Sequence, residues 1–404
     1  MTDSSKKVAQ GFSRFNTCDI RILRIELATG EIVDLLGSFV ELDIYRSMFN
    51  PGMTACLIFG DVLNITNNGP ILGGERVYVE WKSPLYEDFT SMNFRVSMVA
   101  ERQPVAQTNC LVKLELCSEA LYFGLSKRLS RPYNTTYSAA AVALWNETGI
   151  STPILTDTSE GINRFVTGRH MTVYETIGWM ASRSRTIDKL PFVFFEDFDG
   201  LVFASWSRIL KQTAAQPLLH QPQGTEEDIR KDWMNILAIE FSKNQRDALE
   251  FMRHGFGKKT ELAYDITTKQ LETLVETPVE VTGRVGLNPG QISVADSDQC
   301  DDYFLTFSRQ DGSQRNIYER ELLDYLMQYS TNTILNHGDS QARLGQLVEF
   351  HLLAPQLPDA TEPKQEQFFS GKYLVTGIKD TIRPNEYRTY REIVQESLLN
   401  EVQR

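Results

Sequence analysis

A stretch that alternates apolar and polar residues occurs twice in the chain, as GERVYVEW at residues 74–81 and as GQLVEFHL at residues 345–352. Alternation with a period of two is typical of a β-strand with one buried face. Each stretch is followed by a second strand-like segment, FRVSMV at 94–99 and YLVTGI at 373–378. This matching order predicts two similar β-sheet units within one chain.

The first unit is predicted to span residues 18–120, after a polar N-terminal arm at 1–17. Four further strand-like segments lie at 20–27, 39–45, 54–59 and 110–116, and turn signals such as Asn-Pro-Gly at 50–52 separate them. Short strands at this spacing favour a small antiparallel, tube-like barrel or sandwich.

The second unit is predicted from further matches in the same order. LDIYR at 42–46 resembles LEFMR at 249–253, and LVKLELCSE at 111–119 resembles TYREIVQES at 389–397. A turn, a strand and an aspartate, Asp61 or Asp265, follow the first pair. These matches place the second barrel at 234–265 and 342–397.

An insertion at 266–341 is then predicted inside the second barrel. It contains strand-like segments at 279–283 and 303–307 and a helical segment, ERELLDYLMQY, at 319–329. Because long loops close at little extra entropic cost, such an insertion leaves a barrel able to fold.

Residues 121–233 are predicted to form a middle α/β domain. Helical patterns occur at 138–145 and 172–184, and the second places Val173, Ile177, Met180 and Ala181 on one face. An Asp-Gly step at 199–200 between two apolar runs predicts a hairpin. The polar segment 212–232 is typical of a linker. The fold class is therefore mainly β with an α/β module.

Three acidic residues near the hairpin tip, Glu196, Asp197 and Asp199, are the best candidates for a carboxylate pair that hydrolyses glycosides. Acids at a hairpin tip are usually solvated, which favours a surface role instead. Five aromatic residues of the hairpin could form a ligand box, but they are predicted to pack on the helix at 172–184: Phe192, Phe194, Phe195, Phe198 and Phe203.

Other chemical motifs are weak. The chain has five histidines, His170, His220, His254, His337 and His351, and none has a metal-binding spacing. GFGKKT at 255–260 resembles the end of a phosphate loop, but Met252 and Lys259 stand where glycine and Ser or Thr are needed, so it is interpreted as a basic hairpin tip. The sequence therefore predicts no catalytic, cofactor-binding or metal-binding residues.

Composition limits the classes of partner. The net charge of −12 argues against a protein that holds DNA or RNA by neutralising phosphates. The cysteines Cys18, Cys56, Cys110, Cys117 and Cys300 include no closely spaced pair, which favours reduced thiols. No signal peptide and no apolar run of about 20 residues is apparent, so an aqueous compartment is expected.

Three segments together resemble the baseplate hub proteins of contractile-tailed bacteriophages, which are related to the hub part of type VI secretion spikes. The first contains FVELDI at 39–44 and GPILGGERV at 69–77. The second contains YETIGWMA at 174–181 and the hairpin at 191–203. The third runs from the helix at 319–329 through LGQLVEF at 344–350 to FSGKYLVTGI at 369–378.

This resemblance implies a structural, non-enzymatic virion protein, assembled in the host cytoplasm. Three chains would form a ring of near-sixfold symmetry that joins a hexameric tail tube, or its initiator, to a trimeric spike. Other baseplate proteins would be partners, and DNA would pass through the channel without specific binding. Bare sheet edges would pair between subunits, with the strands at 76–81 and 347–352 as candidates.

Two other functions are kept as alternatives. One is a cell-wall glycosidase that uses carboxylates such as Glu196 and Asp199. The other is a carbohydrate-binding or adhesin module built of β-domains, which binding to a glycan array would distinguish from a hub.

Overall fold

The computed structural model describes most of the chain, and strands dominate it. The described residues are 17–61, 65, 69, 71–106, 109–214, 216–219, 233–243, 253, 258–265, 268–276, 287, 301–308, 320, 321, 323, 324, 327, 331–352, 366 and 369–395. Residues 1–16 of the predicted arm at 1–17 and the predicted strand at 279–283 lie outside these residues. No helix in the described part of the chain is long and apolar enough to cross a bilayer.

The strands are numbered in chain order. They are β1 (Asp19–Glu26), β2 (Ile32–Asp34), β3 (Phe39–Ser47), β4 (Thr54–Asp61), β5 (Arg76–Lys82), β6 (Thr90–Ala106), β7 (Asn109–Ser118), β8 (Pro132–Thr135), β9 (Ile154–Thr156), β10 (Asn163–Val166), β11 (Phe192–Asp197), β12 (Gly200–Ser205), β13 (Gln216–Leu219), β14 (Ala238–Lys243), β15 (Lys258–Asp265), β16 (Gln270–Glu276), β17 (Asp301–Ser308), β18 (Thr331–His337), β19 (Leu347–His351), β20 (Gly371–Arg383) and β21 (Glu386–Val394).

The described part of the chain also contains the α-helices α1 (Glu119–Ser126), α2 (Tyr137–Glu147), α3 (Val173–Arg183) and α4 (Trp206–Leu210). Helix α3 begins with a capping box, in which the Thr172 side chain and Glu175 bond reciprocally to backbone N–H groups. The described residues at 320, 321, 323, 324 and 327 are also helical, as predicted for 319–329.

One sheet of thirteen strands contains both predicted units. The first unit runs in the order β3-β4-β7-β6-β5-β1, with β2 at its end. The second unit runs β14-β18-β21-β20, and β19 joins β20 to β13. Because β20 also pairs with β3, the two units meet edge to edge. The prediction of a mainly β fold with two similar antiparallel units is confirmed.

The two units have the same strand order over five strands, β3-β4-β7-β6-β5 in the first and β14-β18-β21-β20-β19 in the second. Strand β6 has a bulge between Val96 and Met98, and β20 has one between Val375 and Gly377, the positions aligned from the sequence. The sixth strands differ in direction, since β1 is antiparallel to β5 while β13 is parallel to β19.

Strand pairing corrects the predicted boundaries of the second unit. The segment at 258–265 is not in the large sheet, because β15 pairs with β16 and β17 in a separate three-stranded sheet. The strands equivalent to β3 and β4 are β14 and β18 instead. In the sequence, the strands of the additional sheet therefore come after β14 and before β18. Residues 331–337 belong to the second unit and not to an insertion at 266–341. The other domain limits stay predictions.

Two smaller predictions are also corrected. The strands at 76–81 and 347–352 are not edges, because β5 lies between β1 and β6, and β19 lies between β13 and β20. The expected linker at 212–232 contains β13, which adds to the large sheet.

Three large buried apolar clusters form the core of the described residues, and a smaller fourth one contains Leu85, Tyr86 and Trp233. The first β-unit surrounds one, to which Ile382 and Tyr387 of the second unit contribute. The middle module packs α2 and α3 on the β11–β12 hairpin in another. The third joins the second β-unit to α4 and to residues such as Leu190 and Phe195. The four described cysteines are free thiols, and Cys300 lies outside the described residues.

Candidate functional site at the junction of the β-units

The two β-units meet where β3 and β20 pair in antiparallel register, from Gly377 opposite Ser47 to Ile382 opposite Leu42. A hydrogen bond from the Met48 N–H to the Thr376 carbonyl, 2.9 Å long, extends this seam. The tip of the β11–β12 hairpin lies against the seam. The junction therefore brings together residues from both β-units and from the middle module.

Arg46 of β3 is the central charge of the junction. Its Nη1 donates to Oδ1 of Asp197 at 2.5 Å, and its Nη2 donates to Oδ2 of Asp380 at 2.6 Å. Nη1 also donates to the Ala342 carbonyl at 3.0 Å. Burial opposes the guanidinium charge, but the two carboxylates outweigh it and raise the pKa of Arg46. The cation thus ties a strand of each β-unit to the hairpin.

Each carboxylate has further hydrogen-bond donors. Asp197 accepts from the Leu344 N–H at 2.7 Å, which links the hairpin to the loop before β19. Asp380 accepts from the hydroxyls of Thr389, at 2.8 Å, and Tyr387, at 3.2 Å. Buried ion pairs offset their desolvation cost when such additional bonds are present, so this triad is built as a structural connection.

Glu196 joins the hairpin to the first β-unit. Its Oε2 accepts from the Met53 N–H at 3.1 Å, from Ser118 Oγ at 2.6 Å and from the Tyr174 hydroxyl at 3.3 Å. Burial raises the pKa of Glu196 to about 7, although these three hydrogen bonds act in the opposite direction.

The expectation that the acids of the hairpin tip are solvated is wrong for two of the three. Glu196 and Asp197 are only 3% and 4% exposed, because the tip is inserted between the β-units. Asp199 is exposed and pairs with Arg343, whose Nε lies 2.8 Å from its Oδ2. The two buried carboxylates face protein donors, so they are unsuited to reach a glycosidic bond together with Asp199.

The hairpin itself forms as predicted, but its turn residues are Phe198 and Asp199, since Asp197 pairs with Gly200. Gly200 has a φ of 122°, and a Cβ there would lie 2.5 Å from the Pro153 carbonyl oxygen. Only glycine fits this close approach.

The five hairpin aromatics do not share one face. Phe192, Phe194 and Phe203 pack in the core of the middle module, as predicted. Phe195 instead enters the core of the second β-unit. Phe198 lies under the Arg46 guanidinium, 3.7 Å from its ring centroid, and meets Trp81 of the first unit edge to face. One hairpin therefore connects all three cores.

A groove of about 460 Å³ runs along the β3–β20 seam. Lys379 lies in it between the rings of Tyr45 and Tyr390, and its Nζ is 3.0 Å from Asp43.

In the described ranges, no group of three or more His, Cys, Asp or Glu residues could hold a metal ion. Of the GFGKKT segment, Lys258 to Thr260 begin β15, and the rest lies outside the described residues.

Sequence reasoning missed Arg46 and Asp380. Both lie in strands with an apolar pattern, DIYR in β3 and IKDTI in β20, where a charged residue normally marks the solvated face. A charged residue inside a strand that is buried on both faces is the sequence feature that could have identified Arg46 and Asp380 as buried ionic partners. The arrangement links the two β-units and the hairpin through buried groups of opposite charge.

Comparison with known proteins gives the fold. No protein-family model matches the chain, and no curated protein matches it in sequence. The tail protein of Neisseria meningitidis MC58 aligns over 94% of this chain and 97% of its own, with a TM-score of 0.56 at 13% identity. The 43 kDa tail protein of prophage MuSo2 from Shewanella oneidensis aligns over 93% and 98%, with a TM-score of 0.54 at 12% identity.

A chain of the lidded PdpA–VgrG complex of Francisella aligns with 97% of this chain at 9% identity and a TM-score of 0.50, and this chain covers 55% of its length. Relations this distant establish the fold alone. The resemblance stated from the sequence is confirmed at that level: this chain has the fold of phage tail proteins.

Proposed function

We propose that this chain is a structural hub of a phage tail, and that three copies form a ring that joins a hexameric tail tube to a trimeric spike. The observation that carries the proposal is the duplication. Two β-units share the order of five strands and lie side by side in one sheet. Three chains then supply six similar units, which matches a sixfold tube while true threefold symmetry remains for a spike.

The buried junction supports this role. The Arg46–Asp197–Asp380 triad and the hairpin aromatics fix one β-unit against the other. A fixed angle between neighbouring units is what a closed ring requires. The net charge of −12 is consistent with a channel wall that DNA passes without adhering. The tube or its initiator, the spike and other baseplate proteins are the proposed partners in the virion.

A non-enzymatic role fits the same site. A glycosidase needs two carboxyl groups on either side of an open cleft, whereas Glu196 is enclosed by Met53, Ser118 and Tyr174. We expect no turnover of cell-wall glycans. A wild-type activity that is lost in Glu196→Gln, with the fold retained, would contradict this part of the proposal.

The ring is tested by mass and symmetry. Light scattering of the full-length chain at micromolar concentration, alone and with the spike protein of the same particle, is expected to give a trimer. Electron micrographs should then show a ring with six similar lobes and an open centre. A monomer in both conditions would refute the proposal.

A further inference from the structure

Strand β20 changes neighbour along its length. Its first residues pair with β19, from Gly371 opposite Phe350 to Leu374 opposite Leu347. After the bulge between Val375 and Gly377, the same edge pairs with β3 of the other unit. The bulge therefore divides β20 into a half that belongs to its own unit and a half that forms the junction.

Strand β6 is the counterpart of β20 and has a bulge at the equivalent position, and two further bulges follow in its second half, between Val99 and Glu101 and between Pro104 and Ala106. Its first half pairs with β5, from Arg76 opposite Arg95 to Trp81 opposite Thr90, and its first bulge follows Val96. Beyond that bulge, no strand of the described part of the chain pairs with the edge of β6 that faces away from β7. The first unit thus has a strand equivalent to the junction half of β20, but no described strand takes the place of β3 beside it.

Exposure differs accordingly between equivalent positions. Ile378 of β20, in the half that pairs with β3, is 3% exposed and packs in the apolar core of the second unit. Its counterpart in β6 is Val99, which is 38% exposed, and the neighbouring Met98 is 51% exposed. The unpaired N–H and C=O groups along such a strand edge favour pairing with another strand.

The complementary edge is β14. Strand β14 takes the place of β3 in the second unit, and among the described residues it pairs only with β18. In the first unit, β3 pairs with β4 along one edge and with β20 along the other. The edge of β14 that corresponds to the β20 side of β3 has no partner among the described strands. Among its described residues, one chain therefore carries one completed junction and the two separate halves of another, which are the edge of β14 and the second half of β6.

We infer that a second copy of this chain adds its β14 to the open half of β6, in the antiparallel arrangement of β3 and β20. The inference rests on the proposed ring and names the strands that close it. Each chain then gives one edge and receives one, which is the head-to-tail contact that cyclic assemblies use.

The register of the contact follows from the internal one. Strand alignment places Glu101 at the position of Lys379, and Lys243 at the position of Tyr45. Since Lys379 lies opposite Tyr45 within the chain, Glu101 of one copy lies opposite Lys243 of the next. Opposite charges at directly facing positions stabilise a strand pair. Pro104, which takes the place of Ile382 and has no N–H, ends the contact.

Disulfide trapping tests this register in the full-length chain. The Cα atoms of facing residues in antiparallel strands are about 4.5–5.5 Å apart, within the range of a disulfide. Glu101→Cys combined with Lys243→Cys is expected to give covalently linked oligomers, up to a closed trimer, on a non-reducing gel. Each single variant controls for the native thiols. The matched control pairs Glu101→Cys with Ser242→Cys, which is one residue out of the proposed register.

Charge exchange provides a second readout. Glu101→Lys alone and Lys243→Glu alone should each weaken association about fivefold per contact, and the combined variant should restore it. If the wild-type chain is trimeric but neither the trapping nor the rescue is seen, the strand contact is refuted while the ring stands. If the wild-type chain is monomeric with and without its spike, the ring and this contact both fail.

Discussion

Replacing Glu196 with glutamine is expected to change how stability depends on pH. In the folded protein, burial raises the pKa of this carboxyl from 4.5 to about 7. A raised pKa means that folding favours the protonated form. Its contribution to the free energy of unfolding is therefore complete below about pH 4.5 and is lost as the pH rises through about 7.

The size of this loss follows from the shift. One pKa unit corresponds to about 1.4 kcal/mol, so a shift of this size removes roughly 3 kcal/mol between pH 4.5 and pH 8. Glutamine keeps an oxygen that accepts from Met53, Ser118 and Tyr174 and does not ionise. We expect Glu196→Gln to gain about 3 kcal/mol relative to wild type when the pH is raised from 4.5 to 8, whatever constant offset the amide introduces.

Urea unfolding at four pH values, followed by tryptophan fluorescence and far-ultraviolet circular dichroism, measures this difference. The buried Trp81, Trp145 and Trp206 report on the cores around the junction. Asp199→Asn is the matched control, since this acid lies on the same hairpin and is exposed, and its pH profile should follow wild type. Parallel profiles for Glu196→Gln and wild type would refute the burial argument.

Other substitutions test separate contacts by the same unfolding assay. Arg46→Met leaves two buried carboxylates unpaired and should cost about 3–5 kcal/mol, and adding Asp380→Asn should recover part of that loss, so an additive double variant would contradict the network. Gly338→Ala places a Cβ about 2.0 Å from the Tyr387 ring and should cost several kcal/mol, so a neutral result would show that the ring moves freely. Thr172→Ala removes the cap of α3 and should cost about 1 kcal/mol, and an unchanged midpoint would mean that the cap is not needed.

Much of the fold could be predicted because alternation identifies strands directly. The match of residues 94–99 with 373–378 reproduces the structural equivalence of β6 and β20, bulge included. The match of 111–119 with 389–397 finds the right strands but is one residue out of register, because Leu116 and Ile393 occupy equivalent positions. A one-residue slip exchanges the two faces of a strand. Because both segments alternate between apolar and polar residues, matching their sequences does not reveal the slip.

The rest depended on contacts between segments far apart in the chain. LEFMR at 249–253 resembles β3 more closely than β14 does, yet β14 takes the position of β3 beside the next strand of its unit. Likewise, the buried state of Glu196 results from the β-units that enclose the hairpin tip, not from the hairpin sequence. Local pattern predicts elements, whereas burial of a polar tip is a property of the assembled chain.

The hairpin that reaches three cores has a mechanical consequence. Adjacent residues Phe194 and Phe195 are anchored in different cores, and Phe198 is clamped beneath Arg46. A force that slides one β-unit past the other would load the backbone ladder of β3 and β20 and would also have to withdraw these rings from their sites. We therefore expect the pair of units to yield as one body, so that strain applied at one end of a chain reaches the other end with little lost in the middle.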